Sequence, residues 1–160
     1  MSFGNTVKDG TGTAYWQLVD SSGRLIVRAA SQGTLSVSSD TAANDSDKTF
    51  TVSSGKVWDV KWVYVSYAAT ATAGDREICF EVQDASANVI FRAYFSTIII
   101  ASQTVEATFG VGLDSMQKTQ VPIPPMNLPA SYVVRIYDIN AVDAAADDMT
   151  LRFVYEERNA

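Results

Sequence analysis

Residues Val57–Tyr67 read VWDVKWVYVSY, with apolar side chains at nearly every second position. A period of two belongs to a strand, whose successive side chains point to opposite faces of a sheet. Trp58, Val60, Trp62 and Tyr64 share one face. The other face starts polar at Asp59 and Lys61 and turns apolar at Val63, Val65 and Tyr67. The reading is a long strand whose second half is covered on both sides, with Trp58 and Trp62 both packed in the core.

The same period continues toward the C-terminus. In REICFEVQ (76–83), Ile78, Phe80 and Val82 point inward and Glu77, Glu81 and Gln83 outward. A turn over Asp84–Asn88 leads into VIFRAYF (89–95), where Val89, Phe91, Ala93 and Phe95 share a face. TVEATFG (104–110) buries Val105, Ala107 and Phe109. In VPIPPMNLP (121–129) four prolines remove ladder donors, which confines the segment to a sheet edge or a connection. YVVRIYD (132–138) and MTLRFVYEE (149–157) alternate again, with Tyr132, Val134, Ile136, Met149, Leu151, Phe153 and Tyr155 inward. Only AVDAAADD (141–148) is helix-like, and it holds about two turns at most. About eight strands after Lys48, with short turns and no long amphipathic helix, predict an all-β fold. The expected architecture is an antiparallel β-sandwich, jelly-roll-like, with an extended N-terminal arm.

Upstream of Lys48 the character changes. GTAYWQLVDSSGRLIVR (12–28) sets two apolar runs, AYWQLV and RLIV, around a turn-forming DSSG, which predicts a β-hairpin. Ala29–Lys48 is too poor in large apolar residues to extend a core and reads as a polar linker. The division expected is an arm, 1–48, comprising hairpin and linker, and a sandwich domain, 49–160. An isolated two-stranded hairpin is marginal in water, so it needs a neighbour to cover it. Tyr15, Trp16, Leu18, Leu25 and Val27 are therefore the expected interface residues.

Composition narrows the function classes. The 160 residues carry 12 Lys and Arg against 18 Asp and Glu, a net charge of −6, and the basic residues are scattered singly. Nucleic acid is not an expected partner, because phosphate binding needs clustered cations. Neither is a membrane: the N-terminus MSFGNTVKDG has no apolar h-region and no run approaches the roughly 18 apolar residues of a span. A soluble protein made in a reducing compartment is expected.

Catalytic chemistry finds little support. There is no histidine, the commonest general base near neutral pH, and Cys79 is alone. Glu77 and Glu81, four apart on one strand, would stand roughly 13 Å apart, too far for a glycosidase pair. They read as a solvated strand face. Cys79 shares their register, and neighbouring carboxylates raise a thiol pKa rather than activate it. Asp138, Asp143, Asp147 and Asp148 lack the spacing and glycine of a calcium loop and read as capping and solvating acids around a short helical turn. Asn44, Asp45 and Asp47 read as turn residues of the linker. No catalytic residue, metal site or cofactor is expected, and the protein is not expected to be an enzyme.

Two segments carry a resemblance. Gly12–Val27, GTAYWQLVDSSGRLIV, resembles the N-terminal arms of structural proteins in tailed-bacteriophage virions. Leu128–Leu151, LPASYVVRIYDINAVDAAADDMTL, is similar to the last strands of small β-sandwich virion proteins. The resemblance implies a non-enzymatic structural virion protein, most readily a capsid decoration or cement protein. As such it would form a homo-oligomer, a trimer or another symmetric assembly, and attach to other virion proteins such as the major capsid protein. Its location would be the virion, after synthesis in the host cytoplasm. Two alternatives stay open: a neck or tail accessory protein, and a carbohydrate-binding or receptor-binding β-sandwich module that uses exposed aromatics.

Overall fold

The computed structural model describes residues 33–114 and 116–160, together with the backbone of two short strands nearer the N-terminus. The chain divides into two compact units, Met1–Gln32 and Gly33–Ala160. In the first unit, β1 (Thr6–Lys8) pairs antiparallel with β2 (Ala14–Trp16), setting Val7 opposite Tyr15. The expected hairpin joined AYWQLV to RLIV. In the structure Ala14–Trp16 pairs upstream with Thr6–Lys8; the rest of the expected hairpin, residues 17–28, lies outside the described residues.

The second unit is a β-sandwich with no helix among the described residues. Its larger sheet runs β3 (Thr34–Asp40), β12 (Asp148–Asn159), β5 (Lys56–Ala68), β8 (Thr104–Val111) and β9 (Gln120–Ile123); β10 (Asn127–Pro129) pairs with the first residues of β5. The smaller sheet runs β4 (Asp47–Thr51), β11 (Val133–Asp138), β6 (Ile78–Gln83) and β7 (Val89–Tyr94). Every pairing in these sheets is antiparallel except β8 with β9. As the prolines require, β9 is an edge strand, with Pro122 in it.

The core lies between the sheets. Phe153 of β12 sits 5.5 Å from Phe50 and 5.7 Å from Trp58, and Phe80 stacks on Phe109 at 5.8 Å between ring centres. Met149, Leu151, Phe153 and Tyr155 are all buried, as their alternation predicts. The β6–β7 hairpin also forms as expected. Its turn is held by Asp84, whose Oδ1 accepts the backbone N–H groups of Ser86 and Asn88 at 2.8 and 2.9 Å.

Several expectations are corrected. Thr34–Asp40, read as linker, is a strand paired with Leu151–Glu157 of β12. Backbone hydrogen bonds to β12 form there although Leu35 and Val37, its two large apolar side chains, are exposed rather than in the core, and Ser38 adds a hydroxyl bond to Tyr155 at 3.1 Å. Lys48, at the expected end of that linker, is buried, its ammonium donating to the Ala42 carbonyl at 2.9 Å and to Asn44 at 3.1 Å. AVDAAADD forms turns rather than a helix, with Ala141 in the left-handed region at φ 46°. Val89 is exposed, because a register shift between Val82 and Gln83 leaves Ile90 unpaired and reverses the alternation of β7.

The largest correction concerns β5. Val154 of β12 pairs with Trp62 and the next residue, Tyr155, pairs with Val60, so Lys61 is an extra residue. A bulge of this kind resets which side chains face inward. Before it Trp58 and Val60 are buried; after it Val63, Val65 and Tyr67 are. Trp62 and Tyr64 therefore turn to the outer face.

Candidate functional site

The register of four strands builds that outer face. Val37 and Trp62 both pair with Val154; Tyr64 pairs with Arg152 and Thr108; Ser66 pairs with Thr150 and Glu106. Paired residues share a face, so Leu35, Val37, Trp62, Tyr64 and Arg152 belong to one surface. Leu35 is 66% exposed, Val37 61% and Trp62 40%, whereas Val154 is buried. An open groove of about 800 Å³ runs along it, lined by Trp62, Tyr64, Thr108, Leu113, Thr150 and Arg152. Gly110 pairs with Trp62 where there is no room for a side chain. A Cβ there would come within 3.0 Å of the Trp62 Cβ and 2.9 Å of Leu113 Cδ1.

Charged groups flank the two aromatics of this surface. Lys61, the bulged residue, lies between Asp59 at 3.0 Å and Glu156 at 3.1 Å, and these two carboxylates raise its pKa. Tyr64 is also raised, because the Glu106 carboxylate favours the protonated hydroxyl. Among the described residues Arg152 makes no ion pair. The face thus offers an aromatic pair, several hydroxyls and one guanidinium.

The remaining polar clusters are internal. Arg76 and Asp147 are fully buried and face each other in a two-pronged pair, Nε to Oδ2 at 2.9 Å and Nη2 to Oδ1 at 3.2 Å. Asp147 also accepts the Tyr67 hydroxyl at 2.9 Å and the Thr70 N–H at 2.7 Å. Burial alone would raise the Asp147 pKa; Arg76, Thr70 and Tyr67 outweigh it and hold the carboxyl at about 2. The acids of that segment do not converge. Asp143 accepts the hydroxyls of Thr70 and Thr72, and Asp138 accepts the Glu77 N–H at 2.9 Å.

Glu81 was expected on a solvated face and is instead fully buried. Arg92 donates to it at 2.7 Å, Tyr137 at 2.9 Å, Gln83 at 2.6 Å and Arg135 at 3.3 Å. Arg135 also lies 4.7 Å from the Tyr137 ring centre. Burial opposes ionisation of Glu81, and these donors overcome it to lower its pKa. Cys79, in the register of Glu81, is buried, and burial is the first cause of its raised pKa. Both buried carboxylates have their lone pairs committed to neighbours, so neither is available as a base or ligand. Among the described residues no group of three or more His, Cys, Asp and Glu is placed to hold a metal ion, and no helix is long and apolar enough to cross a membrane.

The five expected interface residues are Tyr15, Trp16, Leu18, Leu25 and Val27. Only the backbone of Tyr15 and Trp16, in β2, is described; Leu18, Leu25 and Val27 lie outside the described residues. The surface that sequence reasoning missed is the one around Trp62. Its signal was present in the switch of the apolar phase from even to odd positions after Val60, which marks a bulge.

No family model matches the chain, and no curated protein matches it in sequence. Viral capsid particles are among its weak structural neighbours. Infectious bursal virus-derived T=1 particles align over 83% of this chain and 42% of theirs, at 9% identity and a TM-score of 0.31. The T13 particle of the same virus aligns over 80% and 36%, at 10% identity and 0.31. Infectious bursal disease virus of the Gx strain aligns over 81% and 37%, at 11% identity and 0.29. The chain thus spans well under half of those proteins. A superposition this loose establishes neither a shared fold nor a shared role.

Proposed function

We propose that this chain is a non-enzymatic structural protein of a bacteriophage virion, a capsid decoration protein that self-associates and attaches to the shell. The observation that carries the reading is where its surface chemistry lies. The buried carboxylates are consumed internally, while large apolar side chains stand exposed along the sheet margins: Leu35 and Val37 on β3, Ile90 and Tyr94 on β7, and Ile98 and Ile100 just beyond it. Exposed apolar groups gathered this way suit interfaces rather than catalysis. The strand order supports the same reading. Counting β3 to β8, β11 and β12 as eight strands, the sheets run 1-8-3-6 and 2-7-4-5, with first and last strands side by side. This wrapped order suits a jelly roll, an architecture of capsid and lectin domains.

The test is co-sedimentation of the full chain with particles of the virus that encodes it. Binding is expected to saturate at a fixed number of copies per particle. Tyr15→Ala with Trp16→Ala is expected to lower the bound fraction at least 10-fold while the thermal transition of the sandwich is unchanged. Absence of co-sedimentation by the parent chain overturns the reading, and parent-like binding by the double variant removes the role of the arm.

A second reading is favoured by one observation. Trp62 and Tyr64 lie two residues apart on an exposed sheet face, beside the hydroxyls of Thr108 and Thr150 and the Arg152 guanidinium. Such a platform suits carbohydrate, whose ring faces stack on aromatics while its hydroxyls find polar partners. Titration with cellohexaose, chitohexaose and maltohexaose, read by tryptophan fluorescence, tests it. A shift lost in Trp62→Ala supports it, and no shift with any of the three rejects it.

A further inference from the structure

The four edges of the sandwich are not alike. An edge strand presents unpaired backbone N–H and C=O groups, and proteins blunt it with charges, prolines or bulges. Among the described residues three edges carry such devices. β9 holds Pro122; β7 holds Arg92 and the bulged Ile90; β4 holds Asp47 and Lys48. The fourth, β3, reads TLSVSSD, with no proline, no basic residue and no bulge, and its single charge stands at the last position. Its two large side chains, Leu35 and Val37, are also the most exposed apolar residues of the larger sheet. Among the described residues β12 is the only strand that pairs with it.

We infer that β3 is a self-pairing edge: two copies of this chain join their β3 strands antiparallel about a two-fold axis at Ser36, so that the two larger sheets become one. This rests on the reading that the protein self-associates, and it names the surface and the partner. An isologous contact requires a strand that complements itself, and β3 does. With the axis at Ser36, Leu35 of each copy lies opposite Val37 of the other, and Thr34 opposite Ser38. No charged side chain then faces a like charge, since Asp40 passes beyond the end of the partner's β3. The apolar strip of Leu35, Val37, Val154 and Trp62 runs unbroken across the join. The backbone hydrogen bonds of the join engage the N–H and C=O groups on the side of β3 away from β12. Each copy carries a net charge of −6, so a neutral edge is where like-charged copies approach most easily, and added salt is expected to tighten the contact.

Sedimentation equilibrium of the full chain is expected to show a dimer in the micromolar range that strengthens from 50 mM to 500 mM NaCl. Leu35→Lys with Val37→Lys is expected to raise the dissociation constant at least 100-fold without moving the melting temperature of the monomer. Under mild oxidation Ser36→Cys is expected to give a covalent dimer, because two-fold related Cα atoms at such an axis stand at about 5 Å, within disulfide reach; Ser39→Cys, far from the axis, is not. An oligomer that the double lysine variant leaves intact, or that Ser36→Cys fails to cross-link, overturns edge pairing while leaving attachment to particles untouched. A chain that stays monomeric at 100 µM overturns it as well, and particle binding then decides the broader reading separately.

Discussion

Trp58 and Trp62 lie four residues apart on one strand yet on opposite faces of the sheet. Trp58 is 4% exposed, 4.2 Å from Tyr155 and bonded through Nε1 to Glu157 at 2.9 Å; Trp62 is 40% exposed. In an unbroken strand residues i and i+4 share a face. The bulge at Lys61 separates them, giving one tryptophan to the core and the other to the surface.

Replacing each by alanine is therefore expected to have unequal effects. Trp58→Ala is expected to destabilise by about 3–5 kcal/mol, the range for a large aromatic removed from a packed core. Trp62→Ala is expected to lose about 1 kcal/mol or less. Urea unfolding of both variants checks this, and equal losses would mean that the bulge does not divide the strand.

Deleting Lys61 removes the extra residue. The remaining residues then alternate without interruption, so Trp58, Val60, Val63, Val65 and Tyr67 all stay inward and keep their partners on β12. What is lost is the contact of Lys61 with Asp59 and Glu156, and the expected loss is about 1 kcal/mol or less. Calorimetry is expected to show a cooperative transition close to that of the parent, and its absence would mean that the bulge itself is required by the fold.

Arg76 and Asp147 form a buried pair, so removing one partner strands the other. Arg76→Met is expected to destabilise by about 3–5 kcal/mol, and adding Asp147→Asn to recover part of that loss because the uncompensated charge is gone. A double-mutant cycle on unfolding midpoints measures the coupling. Additive losses would deny it.

The same carboxyl links stability to pH. Its pKa falls from 3.8 in the open chain to about 2 in the folded protein, so the folded state favours the ionised form. The contribution, on the order of 2 kcal/mol, is present in full above about pH 4 and is lost as pH falls toward 2. Acid unfolding of Asp147→Asn, followed by circular dichroism, is expected to show a shallower dependence over that window than the parent.

Glu81 gathers Arg92, Arg135, Tyr137 and Gln83 on the outer face of the smaller sheet. Glu81→Gln keeps the shape and removes the charge that two guanidinium groups approach. The expected loss is about 1–3 kcal/mol, readable as a lower melting temperature at pH 7. An unchanged melting temperature would show that solvent serves these cations equally well.

Much of the fold was legible because it is written in local periodicity. The alternations over residues 76–83, 104–110, 132–138 and 149–157 are uninterrupted apolar signals, and each became a strand of the sandwich with the inward face expected. Thr34–Asp40 was not legible. Leu35 and Val37 alternate with serines, and what makes the segment a strand is β12 beside it, not its own hydrophobicity. Glu81 was misread for a similar reason. A glutamate among polar neighbours on a strand looks solvated, and only the convergence of Arg92, Arg135 and Tyr137 from β7 and β11 buries it.

The sequence by itself determined that this is an all-β chain with a sandwich core, that its prolines belong at an edge, and which side chains most of its strands turn inward. These follow from the pleat, which ties side-chain direction to position in the chain. Tertiary structure decided the bulge at Lys61, the exposure of Trp62, the burial of Glu81 and Asp147 and the place of β3 at the margin of the larger sheet. Each depends on which strand comes to lie beside which, a pairing between residues that can be more than a hundred positions apart and that no local pattern encodes.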